Sequence, residues 1–298
     1  MLRPTLLLLL PLMLFGRIQR ATAQVADNAP PLKGRVLEAN SMLPVPYASL
    51  TLRREPDWTL TNAKGHFQLA APKKPDSDTL LVECPGYQTQ AVVVHNRTLT
   101  DTTFTLKKTA PSPQAQPIQS ASVEIKQLGS LAKQPGAGMI QGLKGAQYAL
   151  LIEPSSKQRL GTVRTVSFFI GEYGFPKNSF RIRLYRANGA NHSPGTNLLN
   201  ENLIVAAPGG GQWFTVDITK YMVEAPQDGF FVAMEWVFDL GVDEHGIAGS
   251  QVLLPTYEFK SSKTWAYTVG KGWRLMTFRM PDSKFFNAKI RTEIETLK

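Results

Sequence analysis

The side chains best equipped for chemistry crowd into one segment of the chain. Residues 238–249 read FDLGVDEHGIAG and bring Asp239, Asp243, Glu244 and His245 close together in sequence. Carboxylates beside an imidazole can ligate a metal or move protons. The spacing argues against calcium, because Asp239-x-Gly-x-Asp243 lacks the further oxygen ligands and the bidentate Glu of a calcium loop. A solvated loop after a buried strand is the simpler reading. Glu235 stands apart, flanked by apolar residues in VAMEWV. It could serve as an acid, but a strand position facing solvent is simpler. A retaining glycosidase would also need a second carboxylate about 5 Å away. Asp217 in FTVDITKY is expected to cap the turn that follows it.

Other catalytic patterns are missing from the sequence. No Gly-x-Ser-x-Gly is present, and none of His66, His95, His192 and His245 has a Glu three residues on. Cys84 is the one cysteine, which excludes an internal disulfide and dithiol redox chemistry. Its setting, TLLVECPGY, suits a buried apolar residue. PGGGQ at 208–212 has no Lys-Ser/Thr and reads as a hairpin loop rather than a phosphate cradle. No catalytic residue, metal ligand or cofactor is assigned.

Binding chemistry has a better candidate. SSKTWAYTVGKGWRLMTF, residues 261–278, supplies Trp265, Tyr267 and Trp273, with Lys263, Lys271 and Arg274 around them. Aromatic rings beside polar groups can stack on sugar faces. Trp265, Tyr267, Trp273 and Arg274 are therefore the candidate glycan-binding residues. The competing reading is an ordinary hairpin whose tryptophans pack on the core.

The elements that would position these groups are strands. In the second half of the chain, SFRIRLYR alternates, with Phe180, Ile182 and Leu184 on one face and Arg181, Arg183 and Arg186 mostly on the other. A half-buried strand accounts for those arginines without function. GFFVAMEWV is longer and more apolar and should lie centrally. No window has helical periodicity, and residues 194–202 hold at most one helical turn. Residues 32–106 carry short strands at intervals of about ten, broken by Pro, Gly and Asn. The Pro-, Gln- and Ser-rich stretch 107–122 reads as a semi-rigid spacer. The expected fold is all-β, with a small sandwich over 32–106, a linker over 107–122 and a larger jelly-roll-like sandwich over 123–298. Trp58, the lone Trp of the first sandwich, is expected to cover its end.

Within residues 32–106 the markers run in order: Gly34, Pro46 with Ala48, Thr61 through Phe67 (TNAKGHF), and Gly86-Tyr87. This pattern resembles the carboxypeptidase regulatory-like domain, a transthyretin-like β-sandwich common in exported bacterial proteins. Asn62 stands where that family usually has Asp, and either side chain can make an Asx-turn. The resemblance implies a non-catalytic domain. More loosely, SPGTNLLNENLIV, QWFTVDITKY and GFFVAMEWV resemble jelly-roll modules of exported proteins in Bacteroidetes-type bacteria, some of which bind carbohydrate.

The N-terminus fits export. Residues 1–23 have a basic start at Arg3, an apolar run from Leu6 to Phe15 and a small-x-small Ala21-Thr22-Ala23 site. Removing them takes away Arg3, Arg17 and Arg20 and no acid, so the net charge falls from +10 to +7. An exported basic protein meets anionic glycans or phospholipid rather than nucleic acid, although the Lys and Arg are scattered. No later stretch is apolar enough to span a membrane. The sequence thus points to an exported envelope protein, in the periplasm, at the outer membrane or on the cell surface. The expected role is binding or scaffolding, with a glycan or another envelope protein as partner. The alternative is a polysaccharide-acting hydrolase using carboxylates of the second domain.

Overall fold

The computed structural model describes residues 30–70, 77–94, 101–110, 123–154, 160–238, 241–242, 248–280 and 283–297, with the backbone alone at 241–242, 248–249 and 297. Residues 1–29 and 111–122 lie outside these residues, as do Asp239, Asp243, Glu244 and His245. The described chain has strands and two single 3-10 turns. No helix among the described residues is long and apolar enough to cross a membrane.

Seven strands build the first unit: β1 (Leu32–Glu38), β2 (Ser49–Leu52), β3 (Trp58–Leu60), β4 (His66–Leu69), β5 (Asp78–Glu83), β6 (Gln90–Val94) and β7 (Thr102–Leu106). They form one sheet in the order β4-β1-β7 and another in the order β3-β2-β5-β6. Alternation along the strands explains the core between them. Leu50 and Leu52 of β2, Phe67 and Leu69 of β4, and Leu80 and Val82 of β5 all point inward. His66 and Gln68 are exposed, as the alternation of β4 requires.

The turn into β4 is fixed by Asn62, whose Oδ1 accepts from the Lys64 and His66 amides at 2.9 and 3.1 Å. Gly65 closes it at φ +75°, where a Cβ would stand 2.6 Å from the Val36 carbonyl oxygen. Fourteen described residues make up the core of this unit. That is small for a sandwich without disulfides, so burial against a neighbour adds to its stability.

The second unit alternates between two larger sheets. Its strands are β8 (Val123–Gly129), β9 (Gln147–Ile152), β10 (Leu160–Gly174), β11 (Ser179–Arg186), β12 (Ile204–Ala206), β13 (Gln212–Asp217), β14 (Phe230–Trp236), β15 (Gly241–Val242), β16 (Ala248–Gly249), β17 (Gln251–Leu253), β18 (Pro255–Thr256), β19 (Thr264–Thr268), β20 (Gly272–Leu275), β21 (Asn287–Ala288) and β22 (Ile290–Leu297). One sheet runs β13-β10-β22-β8 with β17 also against β10, and the other runs β12-β11-β14-β9-β19-β20. The main core lies between them, with Phe168, Ile170 and Ile290 from the first and Phe180, Val232 and Met234 from the second. The all-β reading holds, and β14 is central, between β11 and β9.

The helical turns fall at Ala190–His192 and Thr219–Tyr221. One local expectation is corrected: the 208–212 loop is not a hairpin, because it carries the chain from β12 in one sheet to β13 in the other. Asp217 caps the second turn as expected, its Oδ1 accepting from the Thr219 amide at 2.8 Å.

Candidate functional site

The six-stranded sheet has a second face, opposite the main core, and that face holds the candidate site. Pairing registers lay Arg181, Glu235, Gln147, Tyr267 and Trp273 side by side across β11, β14, β9, β19 and β20. The neighbouring row is Arg183, Ala233, Ala149 and Trp265. Two alanines in that row leave room for the larger side chains to converge over them.

Here the sequence reading needs its main correction. Arg181 and Glu235 do not face solvent: they are 2% and 4% exposed. The reason is the first unit, which sits on this face and removes it from water. Arg181 Nη1 donates to Glu235 Oε1 at 2.6 Å, and its Nε donates to Asn202 Oδ1 at 2.9 Å. Its Nη2 crosses between the units to donate to the Tyr47 carbonyl. Asn202 Nδ2 makes a second crossing to the Pro46 carbonyl, at 2.9 Å. Tyr47 presents its carbonyl from a left-handed backbone, φ +57°, which costs about 1–2 kcal/mol for a non-glycine residue.

An apolar patch joins the polar one. Tyr47 and Leu60 of the first unit are buried with Val237 of the second, and the rings of Tyr47 and Phe238 meet edge to face at 5.4 Å. Trp58 is also between the units rather than over the end of its own sandwich. A Cβ at Gly145 would stand 2.7 Å from its ring.

The two units leave a cleft between the outer face of β2–β5 and this face of the six-stranded sheet. One chamber, about 350 Å³, is lined by Trp58, Leu60, Leu81, Tyr267 and Val269 together with Glu83 and Glu235. The other, about 270 Å³, is lined by Arg181, Arg183, Asn197 and Asn200 with the same two carboxylates. Ser49 also borders both. The first chamber is largely apolar and aromatic, and the second is polar.

Two carboxylates in a cleft would suit hydrolysis, but Glu235 is already committed. Its Oε1 accepts from Arg181 and its Oε2 lies 3.5 Å from Arg183 Nη1. A carboxylate held at 2.6 Å by a buried guanidinium is poorly placed to give a proton or attack a sugar. Cys84 borders the polar chamber, and burial pushes its thiol up to about 11, so it is inert near neutral pH. Among the described residues no three His, Cys, Asp or Glu side chains gather to hold a metal ion.

The four candidate glycan residues divide. Trp265, Tyr267 and Trp273 share the outer face, but Arg274 pairs with Ala266 and projects to the other side. Trp273 is half-buried, its ring 5.2 Å from Tyr267 and 5.6 Å from Tyr185. Trp265 and Trp273 pack on the cluster of Ala149, Tyr185, Phe231 and Ala233. They act as a floor, and of the four only Tyr267 lines the cleft. The remaining tryptophans are structural. Trp236 is in the main core with its indole N–H on the Gln251 carbonyl at 2.8 Å, and Trp213 lies under the Arg291 guanidinium at 4.0 Å. Sequence reasoning missed Tyr47, Arg181, Arg183 and Glu235 as a unit. The available signal was charge at alternate positions of β11, opposite a Glu in a strand apolar throughout.

Comparison with known proteins agrees with the first unit. Residues 32–118 match the family model of the CarboxypepD_reg-like domain. The N-terminal sandwich is a domain of that class. The match runs past Leu106, where Lys108 still bridges to Tyr87 and the Thr109 amide donates to the Gly86 carbonyl. A comparison with curated proteins gave no match.

Two outcomes follow from this geometry. Arg181→Met leaves Glu235 buried with only the distant Arg183, so it should cost about 3–5 kcal/mol in urea unfolding. The double variant Arg181→Met/Glu235→Leu should recover part of that loss. A single-variant cost below about 1 kcal/mol would show that the ion pair does not matter to the fold. The second outcome concerns Tyr185, whose hydroxyl donates to Gln147 Oε1 at 2.6 Å. Burial pushes that hydroxyl up to about 12, against about 10 in an unfolded chain. The unfolded state therefore loses its proton first. The stability linked to Tyr185 is present below pH 10 and declines as pH rises towards 12. Urea midpoints measured across that window should fall less steeply for Tyr185→Phe than for the parent. Equal slopes would refute the assignment.

Proposed function

We propose that the protein is an exported, non-catalytic binding module of the cell envelope that takes a glycan in the cleft between its two units. The observation that carries this reading is the composition of the cleft. A wall formed by Tyr267 and Trp58 faces polar groups whose charges are balanced within the protein. Aromatic rings suit the apolar face of a sugar, and the surrounding donors and acceptors suit its hydroxyls. The engagement of Glu235 by Arg181 supports binding over hydrolysis. Export rests on the leader-like pattern of residues 1–23.

A glycan array probed with the chain lacking residues 1–23 tests this. Binding to a restricted set of glycans is expected, weakened about tenfold, or ~1.4 kcal/mol, by Tyr267→Ala. Arg274→Ala, on the opposite face, should leave binding unchanged. Release of reducing sugar from a bound glycan, lost in Glu235→Gln, would favour the hydrolase instead.

A further inference from the structure

The polar chamber contains a guanidinium whose bonding the fold leaves incomplete. Arg183 Nε is buried without a hydrogen-bond partner. Its Nη1 and Nη2 reach Glu235 Oε2 and Asn197 Oδ1 only at 3.5 and 3.4 Å. Those distances lie at the outer limit of hydrogen bonding. Arg181, one pleat away, has all three nitrogens engaged. Nε is closed off from the chamber, so the two long Nη contacts are what acceptors on a ligand can improve.

The chamber also has acceptors to offer. Glu83 and Asn200 line it, and the Thr89 hydroxyl donates to Glu83 Oε1 at 3.3 Å. Its ionic groups, two arginines and two glutamates, balance. A net charge on the ligand would therefore go uncompensated, whereas a neutral polyhydroxyl compound can both accept from Arg183 and donate to Glu83. Size narrows the choice. A cavity of about 150 Å³ already holds a benzene ring, so about 270 Å³ suits a single sugar ring and the adjoining 350 Å³ another.

The units also meet at both chambers. A Cβ at Gly86 would stand 2.9 Å from the Asn200 carbonyl oxygen, and one at Gly145 would stand 2.7 Å from the Trp58 ring. These contacts border the two chambers and fix the span between the units.

We infer that the cleft receives a disaccharide unit of a neutral glycan, one ring bonded by Arg183, Glu83 and Asn197 and the next resting on Tyr267. The inference rests on the glycan reading above and adds the ligand's charge, its length and the anchoring residue.

Calorimetric titration of the chain with cellobiose, lactose, maltose and chitobiose, and separately with galacturonic acid, tests it. At least one neutral disaccharide should bind, and extending it to a hexasaccharide should leave the affinity per chain unchanged. Arg183→Gln should weaken binding at least tenfold. Ser49→Leu, which fills the border between the chambers without removing a charge, should abolish it while the melting temperature stays near that of the parent. Tighter binding of galacturonic acid, or affinity that climbs with chain length, would overturn the inference. Array binding that is sensitive to Tyr267→Ala but indifferent to Ser49→Leu, or that persists while all four disaccharides fail, would also overturn it and leave the glycan reading standing. If no glycan binds the parent protein, both fail.

Discussion

Everything between the two units depends on one buried cation. Arg181 sits under the first sandwich, and its guanidinium has to be satisfied there or the interface cannot form. An isolated buried charge costs several kcal/mol even after the protein relaxes. Glu235 provides the counter-charge on the adjacent strand, while Asn202 and the Tyr47 carbonyl take up the remaining donors. These bonds are directional, so they set the angle at which the first sandwich rests on the second. The apolar contacts of Tyr47, Leu60 and Val237 then exclude water around them. Burial supplies attraction without direction, and the arginine supplies direction.

That division of labour produces the cleft. Two pleated faces held by a few large side chains do not close along their whole length, and the space left over becomes the two chambers. The small first core gains from the contact, as a sandwich of that size has little apolar surface to bury alone. The carboxypeptidase regulatory-like domain here forms one wall of the cleft. Its β2 and β5 strands contribute Ser49, Leu81 and Glu83 to the cleft, so neither unit would form the site by itself.

Much of the fold could be read from the sequence, because alternation is a local property. The inward set of β4, the Asn62–Gly65 turn and the central place of β14 all follow from residues within one or two strands of each other. The site was less legible for the same reason. Arg181 and Arg183 have the spacing of an ordinary solvated face, and nothing in SFRIRLYR tells which strand face another domain will cover. Glu235 looked anomalous among apolar neighbours, but its partners lie 54 and 52 residues away in sequence. The aromatic hairpin was located correctly, and Arg274 was placed on the wrong side because hairpin register decides the face. Tyr47 precedes β2 and alternates with the inward Ala48 and Leu50. It is outward with respect to its own sandwich and buried with respect to the molecule.

The claim that the two sandwiches form one body is tested most directly by equilibrium unfolding in urea followed with two probes. Tryptophan fluorescence reports mainly on the second unit and on Trp58 at the junction, and hydrogen exchange of the β1 and β4 amides reports on the first core. The account predicts coincident transitions and a single cooperative loss of structure. Separate midpoints, with the first sandwich unfolding while the second stays intact and Trp58 already in water, would contradict it.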